Sequence, residues 1–367
     1  MKVIHVISGL ELGGAEGVLF KICKYAENSS HYVVSLSSRG VYLDKLKDLG
    51  VEVYCLPRGS LLSYFYIIYK LTILIKCKRP DVVQTWLYHA DLVGGVAARL
   101  AGVRKIYWCL RMSYFPSGKR RLTLKFLGYL SRIIPLKIIC CAEVVRESHI
   151  ALGYSSTKMC VIENGVDLEE FCPKERQARY FNLDPTVSCS ILKIGMVSRF
   201  DDMKDHLSLI HAVQSIVKQG IQCHCYFVGS GSDGVLGPLQ QEVSFLNLGN
   251  NISFLGVRHD IPDFLNNIDV HILSSKSEGF PNVVLEAAAC GTISLASRTG
   301  ASLEILPQEF LFDVGNVNQL TELLIKYSEV ITKDPNEWLK LKKMFRALSK
   351  GYSIEIMNSK FHSCWKN

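Results

Sequence analysis

Glu278 and Glu286 bracket Gly279-Phe280-Pro281-Asn282-Val283, with seven residues between the two carboxylates. Pro281 sits where a first helical turn tolerates a missing N–H, and Gly291 where the residue after a helix needs positive φ. The segment therefore predicts a short helix from about Pro281 to Ala289, opening after the strand-like run 270–274. The exposed amides and positive dipole end at its start would make an anion site. A carboxylate beside such a site must contact something uncharged, and sugar hydroxyls meet that need. On spacing alone, Glu278 as a cap and Glu286 as a surface residue account for the pair equally well. Upstream, Arg199 and Lys204 follow the strand-like run 191–197, where two cations could neutralise a diphosphate. The plainer reading is a solvated pair among Asp201, Asp202 and Asp205. Gly229-Ser230-Gly231 and Gly256-Val257-Arg258 close the next two strands, either as places where backbone approaches a ligand or simply as turns.

These residues need strands to carry them. Short β-branched runs at 3–7, 32–36, 51–56, 81–85, 105–109 and 137–141 alternate with helical patterns, and a second series follows at 191–197, 223–228, 252–255, 270–274 and 292–296. Such alternation implies βαβ units and parallel sheets covered on both faces. The series break at about 165–190, where Asn164-Gly165-Val166-Asp167 leads into a polar stretch through Pro173, Lys174, Glu175 and Arg176. The expected fold class is α/β, two doubly wound Rossmann-like domains facing each other across a cleft. Their expected extents are 1–170 and 191–345, joined by a linker at 171–190. A tail at 346–367 would place its helix back on the N-terminal domain. In such sheets, ligands bind at the carboxyl ends of the strands.

With these motifs in place, nearly the whole chain resembles retaining nucleotide-sugar glycosyltransferases of the GT-B fold, specifically glycosyltransferase family four. Glu278-Gly279-Phe280-Pro281-Asn282 through Glu286-Ala287 resembles that family's paired-glutamate motif. Gly13-Gly14-Ala15-Glu16 is similar to its N-terminal glycine loop, and Asn164-Gly165-Val166-Asp167 to its domain-crossing segment. The resemblance implies that Arg199 and Lys204 hold the donor diphosphate and that Glu278 contacts hydroxyls of the transferred sugar. It assigns Glu286 to the nucleotide ribose, the backbone of Gly279, Phe280, Pro281, Asn282 and Val283 to the phosphates, and Gly256, Val257 and Arg258 to the nucleobase pocket. Gly13 and Gly14 would approach the diphosphate from the other domain. In the loop Trp86-Leu87-Tyr88-His89, His89 matches a position near the reacting centre, so Glu278 and His89 are the candidate catalytic residues. Spacing alone also permits His89 as an ordinary helix-start histidine. His89 and Arg111 are the acceptor-side candidates. The implied reaction moves a hexose or N-acetylhexosamine from a nucleoside-diphosphate sugar, UDP-linked, to a lipid-linked or oligosaccharide acceptor in surface polysaccharide synthesis. No cofactor or metal is expected, since the chain has no Asp-x-Asp and the cation pair can take a divalent ion's place. The alternatives are a sugar-nucleotide epimerase on the same fold and an inactive donor-binding partner of an assembly complex. A dinucleotide oxidoreductase is disfavoured, because no Gly-x-Gly-x-x-Gly follows the first strand.

Composition narrows the partners. With 48% hydrophobic and 21% charged residues, the 367-residue chain is globular. Residues 1–160 hold 23 Lys and Arg against 10 Asp and Glu (+13), while residues 161–367 hold 19 against 24 (−5). A basic half suggests an anionic surface or substrate. In 119–133, Leu122, Phe126, Tyr129 or Leu130, and Ile133 share a helical face, with Arg121, Lys125 and Arg132 on another. With 61–75, this reads either as a membrane-surface element or as helices packed on the sheet. No nucleic-acid module is present, so an anionic membrane surface is the expected peripheral partner. Thirteen scattered cysteines, an odd number without a Cys-x-x-Cys, read as free thiols in a reducing compartment. With no signal-like start, the expected location is cytoplasmic, at the inner face of the cell membrane.

Overall fold

The computed structural model describes residues 1–11, 13–26, 29–57, 61–113, 115, 119–177, 180–181 and 191–366. The chain divides into two compact units, Met1–Gly165 with Ile354–Asn367, and Val166–Ser353. Each is the doubly wound α/β unit that the alternating strand and helix patterns predict.

Among the described residues, the first unit holds seven parallel strands: β1 (Lys2–Ile7), β2 (Ser30–Ser35), β3 (Glu52–Cys55), β4 (Val82–Trp86), β5 (Ile106–Leu110), β6 (Lys137–Cys140) and β7 (Met159–Val161). Their order is β3-β2-β1-β4-β5-β6-β7. Strands β4 and β5 are buried along their whole length, as expected of parallel strands with helices on both faces. The C-terminal helix Ile354–Lys366 completes this core. Trp365 Nε1 donates to Gln84 Oε1 at 2.6 Å and the Tyr107 hydroxyl to the Cys364 carbonyl at 2.9 Å, both in buried surroundings.

The second unit holds β8 (Leu192–Val197), β9 (Cys223–Val228), β10 (Ile252–Phe254), β11 (Val270–Leu273), β12 (Ile293–Ser297) and β13 (Leu311–Phe312), in the order β10-β9-β8-β11-β12-β13 and all parallel. Strand order reverses between β1 and β4 in one sheet and between β8 and β11 in the other. At such a reversal the flanking loops diverge and leave a crevice beyond the strand ends.

The expected boundaries shift. Val166 pairs with Ser353, and its N–H donates to the Tyr352 carbonyl at 2.9 Å, so 166–170 and 346–353 belong to the second unit. Arg346 fixes this end by donating to the carbonyls of Phe171 (2.9 Å) and Ala289 (2.7 Å). The described part of the expected linker is an anchored strap. The N–H groups of Lys174 and Gln177 donate to the side chains of Asn266 and Asn267, each at 2.8 Å, and Arg176 pairs with Asp269 at 2.6 Å. Backbone groups satisfied in this way have no reason to detach.

Candidate active site

In the second unit, the loops after β8 and β11 meet at the strand reversal. Lys204 Nζ donates to Glu278 Oε1 at 2.5 Å, with side-chain exposures of only 18% and 11%. The Ser275 hydroxyl donates to the same oxygen at 2.6 Å. Two donors on one oxygen fix the carboxylate's orientation, and the ammonium offsets the cost of half-burying it. The surrounding loops are bound just as closely. Buried Ser274 donates to the carbonyls of Lys204 (3.1 Å) and Asp205 (2.9 Å), the Lys276 N–H to the Met203 carbonyl (2.7 Å), and Ser297 to the Ser275 carbonyl (2.5 Å). Gly300, at φ +56°, lies against the Glu278 backbone so tightly that a Cβ there would overlap the Glu278 carbonyl.

The helix expected here runs over Asn282–Ala289, with Pro281 as its N-cap and Gly291 at φ +73° just beyond it. Phe280 is buried, while Glu286 and Asn282 are half-buried. Arg199 lies on the same edge, 63% exposed and 3.4 Å from Asp201, so its guanidinium is held only loosely. Gly256 (φ +66°) accepts the Gly229 N–H at 2.8 Å, tying the loops after β9 and β10 together. The Arg258 side chain is committed elsewhere. It donates to Asp260 and, at 2.9 Å, to the Tyr180 hydroxyl, and it lies 5.1 Å from the Tyr180 ring centre. The guanidinium holds the Asp260 carboxyl down at about 2. Val257, beside Arg258, is 51% exposed.

In the first unit, Gly13 caps helix Gly14–Lys24 after β1, and a Cβ at Gly13 would overlap the Glu16 carboxylate folded back over the helix start. Across the reversal, β4 is followed by Leu87 at φ +70°, ψ 157°, a conformation few non-glycine residues adopt. This strained residue precedes helix Tyr88–Leu100 and sets exposed His89 on its first turn, with the Tyr64 hydroxyl 3.4 Å from His89 Nδ1. Arg111, after β5, is embedded. It bonds Asn164, donates to Cys109 Sγ at 3.1 Å, and lies 5.0 Å from the Trp86 ring centre and 5.9 Å from that of Phe361. These contacts give Arg111 a packing role that the sequence did not suggest.

Comparison with known proteins matches the chain in two consecutive parts. Residues 12–170 match the model described as Glycosyltransferase Family 4, and residues 192–329 match Glycosyl transferases group 1. The chain belongs to glycosyltransferase family 4. It is 25% identical, over 90% of its length and 88% of the relative's, to an Escherichia coli UDP-Gal:α-D-GlcNAc-diphosphoundecaprenol α-1,3-galactosyltransferase. It is 26% identical, over 79% of both, to a Campylobacter jejuni N,N'-diacetylbacillosaminyl-diphospho-undecaprenol α-1,3-N-acetylgalactosaminyltransferase. A crystal structure of Anabaena HepE in complex with UDP matches its fold at a TM-score of 0.87, with 20% identity and 99% of each chain covered.

For a glycosyltransferase, the pairing of Lys204 with Glu278 is the feature the motifs did not foretell, since they gave the two residues separate duties. Ser274, Ser275, Ser297 and Gly300 were also missed. Their signal was small residues at the ends of buried parallel strands, where close loop contacts leave no room for larger ones. Among the described residues, no helix is long and apolar enough to cross a membrane, and twelve cysteines are free thiols, seven of them buried.

Proposed function

We propose that this family member is a retaining, metal-independent glycosyltransferase that moves a hexose or N-acetylhexosamine from a UDP-sugar to a polyprenyl-diphosphate-linked glycan during surface polysaccharide synthesis at the cytoplasmic face of the cell membrane. The observation that carries this reading is the Lys204–Glu278–Ser275 cluster at the strand reversal, beside Arg199 and the start of helix Asn282–Ala289. Negative charge developing on a departing nucleoside diphosphate would meet Arg199, Lys204 and the helix amides. Glu278 would accept from hydroxyls of the transferred sugar, and Glu286 from the ribose. Because Lys204 is bonded to Glu278, the group that reads the sugar and the group that stabilises the leaving phosphate are positioned together. A sugar seated wrongly would displace the cation as well. His89, beside the strained turn at Leu87, is the acceptor-side candidate. The relatives that act on diphosphoundecaprenol acceptors support this choice of acceptor class.

The test is transfer from a panel of UDP- and GDP-sugars to a synthetic diphosphate-lipid acceptor carrying one sugar, with product anomers read by NMR. The expected outcome is one preferred UDP-sugar, an α-linked product from an α-linked donor, and turnover that survives excess chelator. Conversion of donor to an isomer without acceptor, or an inverted product, would refute it.

A further inference from the structure

Two helices of the first unit are apolar on the side turned away from the sheet. Helix Leu61–Lys78 buries Ile67, Leu71 and Ile75, yet Phe65, Tyr66 and Tyr69 on its opposite side are 72%, 58% and 62% exposed. Helix Lys119–Leu130 buries Leu124 and Leu127, while Leu122, Phe126 and Tyr129 are 68%, 56% and 60% exposed. Ile133, in the following turn, continues the line. The spacing of Leu122, Phe126, Tyr129 and Ile133, i, i+4, i+7, i+11, is the stripe a surface helix ordinarily turns inward. Here it points outward. Helix Tyr88–Leu100 lies between the two. Thr72 donates to its Ala97 carbonyl at 3.4 Å, and its Arg99 donates to the Ile134 carbonyl at 3.0 Å. Its exposed Leu100 shares a groove with Ile133, so the apolar residues continue from helix to helix.

The sequence around this face is rich in cations, and one acid, Glu52, pairs with Lys78 at the end of helix Leu61–Lys78 at 2.6 Å. No Asp or Glu occurs between Glu52 and Asp81, where there are five Lys and Arg, nor between Asp91 and Glu143, where there are ten. These fifteen cations exceed the whole +13 surplus of residues 1–160, although Arg111 is embedded and Lys78 is paired with Glu52. Lys70, Lys76, Arg121, Lys125 and Arg132 are exposed beside the apolar ridges. A second copy of the chain is a poor cover, because a two-fold interface would press a strongly basic face against itself. An anionic lipid surface satisfies both components. Phe and Tyr side chains settle at the headgroup boundary, and Lys and Arg meet lipid phosphates. The ridge also starts at the acceptor edge, since Tyr64, which contacts His89, immediately precedes Phe65.

We propose that this face docks the first unit on anionic lipid, with Phe65, Tyr66, Tyr69, Leu122, Phe126 and Tyr129 in the headgroup boundary. His89 is thereby presented to an acceptor diphosphate rising from the same surface. This last step rests on the acceptor class proposed above, whereas the docking face does not.

Flotation of the full chain with phosphatidylglycerol-containing vesicles and with phosphatidylcholine vesicles tests the proposal. Binding to the anionic vesicles is expected to be at least about tenfold tighter and to weaken as salt rises. The triple variant Arg121→Gln, Lys125→Gln, Arg132→Gln should lose about 100-fold, at about fivefold per cation. Phe126→Ser with Tyr129→Ser should lose about tenfold or more, with an unchanged thermal midpoint because both side chains are exposed. The proposal is overturned if anionic vesicles are not bound at low salt, or if neither variant weakens binding. It is also overturned if sedimentation shows a dimer that Phe126→Ser with Tyr129→Ser abolishes. Transfer to a short-chain, water-soluble diphosphate acceptor separates the two readings. Transfer without vesicle binding sinks the docking face alone, and vesicle binding without transfer from any donor sinks the catalytic reading alone.

Discussion

Replacing Lys204 by Met should damage stability and donor binding together, while Arg199→Ala should damage donor binding alone. Lys204 and Glu278 form a 2.5 Å ion pair with exposures of 18% and 11%. Removing one partner of a fully buried pair costs about 3–5 kcal/mol, and residual solvent with the Ser275 hydroxyl lowers this to about 2–3 kcal/mol. In a unit of this size, that corresponds to a fall of about 5–10 °C in the thermal midpoint. Arg199 is 63% exposed and 3.4 Å from its acidic neighbour, so its loss should change stability by less than about 0.5 kcal/mol. If each cation also makes a charge-assisted bond to the donor diphosphate, either substitution costs about 1.5–3 kcal/mol of binding, a loss of about 10- to 150-fold. Scanning calorimetry of the free variants and titration calorimetry with UDP read the two quantities separately. The double variant Lys204→Met, Glu278→Gln removes the orphaned charge, so it should recover most of the midpoint without recovering UDP affinity. Wild-type UDP affinity in Arg199→Ala and in the double variant would refute the diphosphate assignment. An unshifted midpoint in Lys204→Met would refute the ion pair.

Acid should weaken the fold before most carboxylates titrate. Burial pushes His31, His149 and His206 down to about 4 and His271 to about 3. These groups fold neutral, so their stabilisation is complete above the unfolded value near 6.5 and is lost as pH falls toward the folded values, by about 2 kcal/mol each at pH 5. Urea midpoints at pH 7.5 and 5 should differ accordingly, and equal midpoints would contradict the buried neutral state. Asp91 is fully buried, with its carboxyl pushed well above the usual range by desolvation and its Oδ1 accepting from Thr85 at 2.5 Å. Asp91→Asn should therefore be more stable than wild type, by a margin that widens as pH rises, and a constant margin would count against the raised acidity. Gly300→Ala should cost about 2–4 kcal/mol, combining positive φ with overlap at the Glu278 carbonyl, and should weaken UDP binding by shifting the Glu278 loop. A denaturation curve matching wild type would show that the loop has room to yield.

Both sheets were legible in the sequence because parallel strands buried on two faces leave near-continuous apolar runs, and eleven of the thirteen strands among the described residues follow from them. The two that escaped, β7 and β13, span three residues and two; β10 is as short as β7, but Leu255 extends its apolar run to four residues, Ile252-Ser253-Phe254-Leu255. The Glu278 to Glu286 segment was legible because Pro281 and Gly291 punctuate it. The Lys204–Glu278 bond was not, since 74 residues separate partners that only the strand order brings together. The surroundings of Arg111 were hidden for the same reason. A lone arginine after a strand looks available to a ligand, but Trp86, Asn164 and Phe361 are drawn from three distant segments that enclose it.

Charge placement then separates the two halves of the proposed reaction. A diphosphate bound in the second unit needs few cations, because helix amides and a preformed Lys204–Glu278 pair supply oriented dipoles that need not rearrange during reaction. A lipid surface cannot be met in that way. Its phosphates are mobile and its field decays within about 10 Å at ordinary salt, so attraction grows with the number of basic side chains brought close. Acid-free stretches at 53–80 and 92–142, carried on helices that leave their aromatic sides exposed, are the arrangement such a field selects. The surplus of the first unit thus fits a surface better than a pocket. Raising salt should accordingly release the protein from vesicles while leaving UDP affinity nearly unchanged, and parallel loss of both would mean that one set of cations serves both ligands.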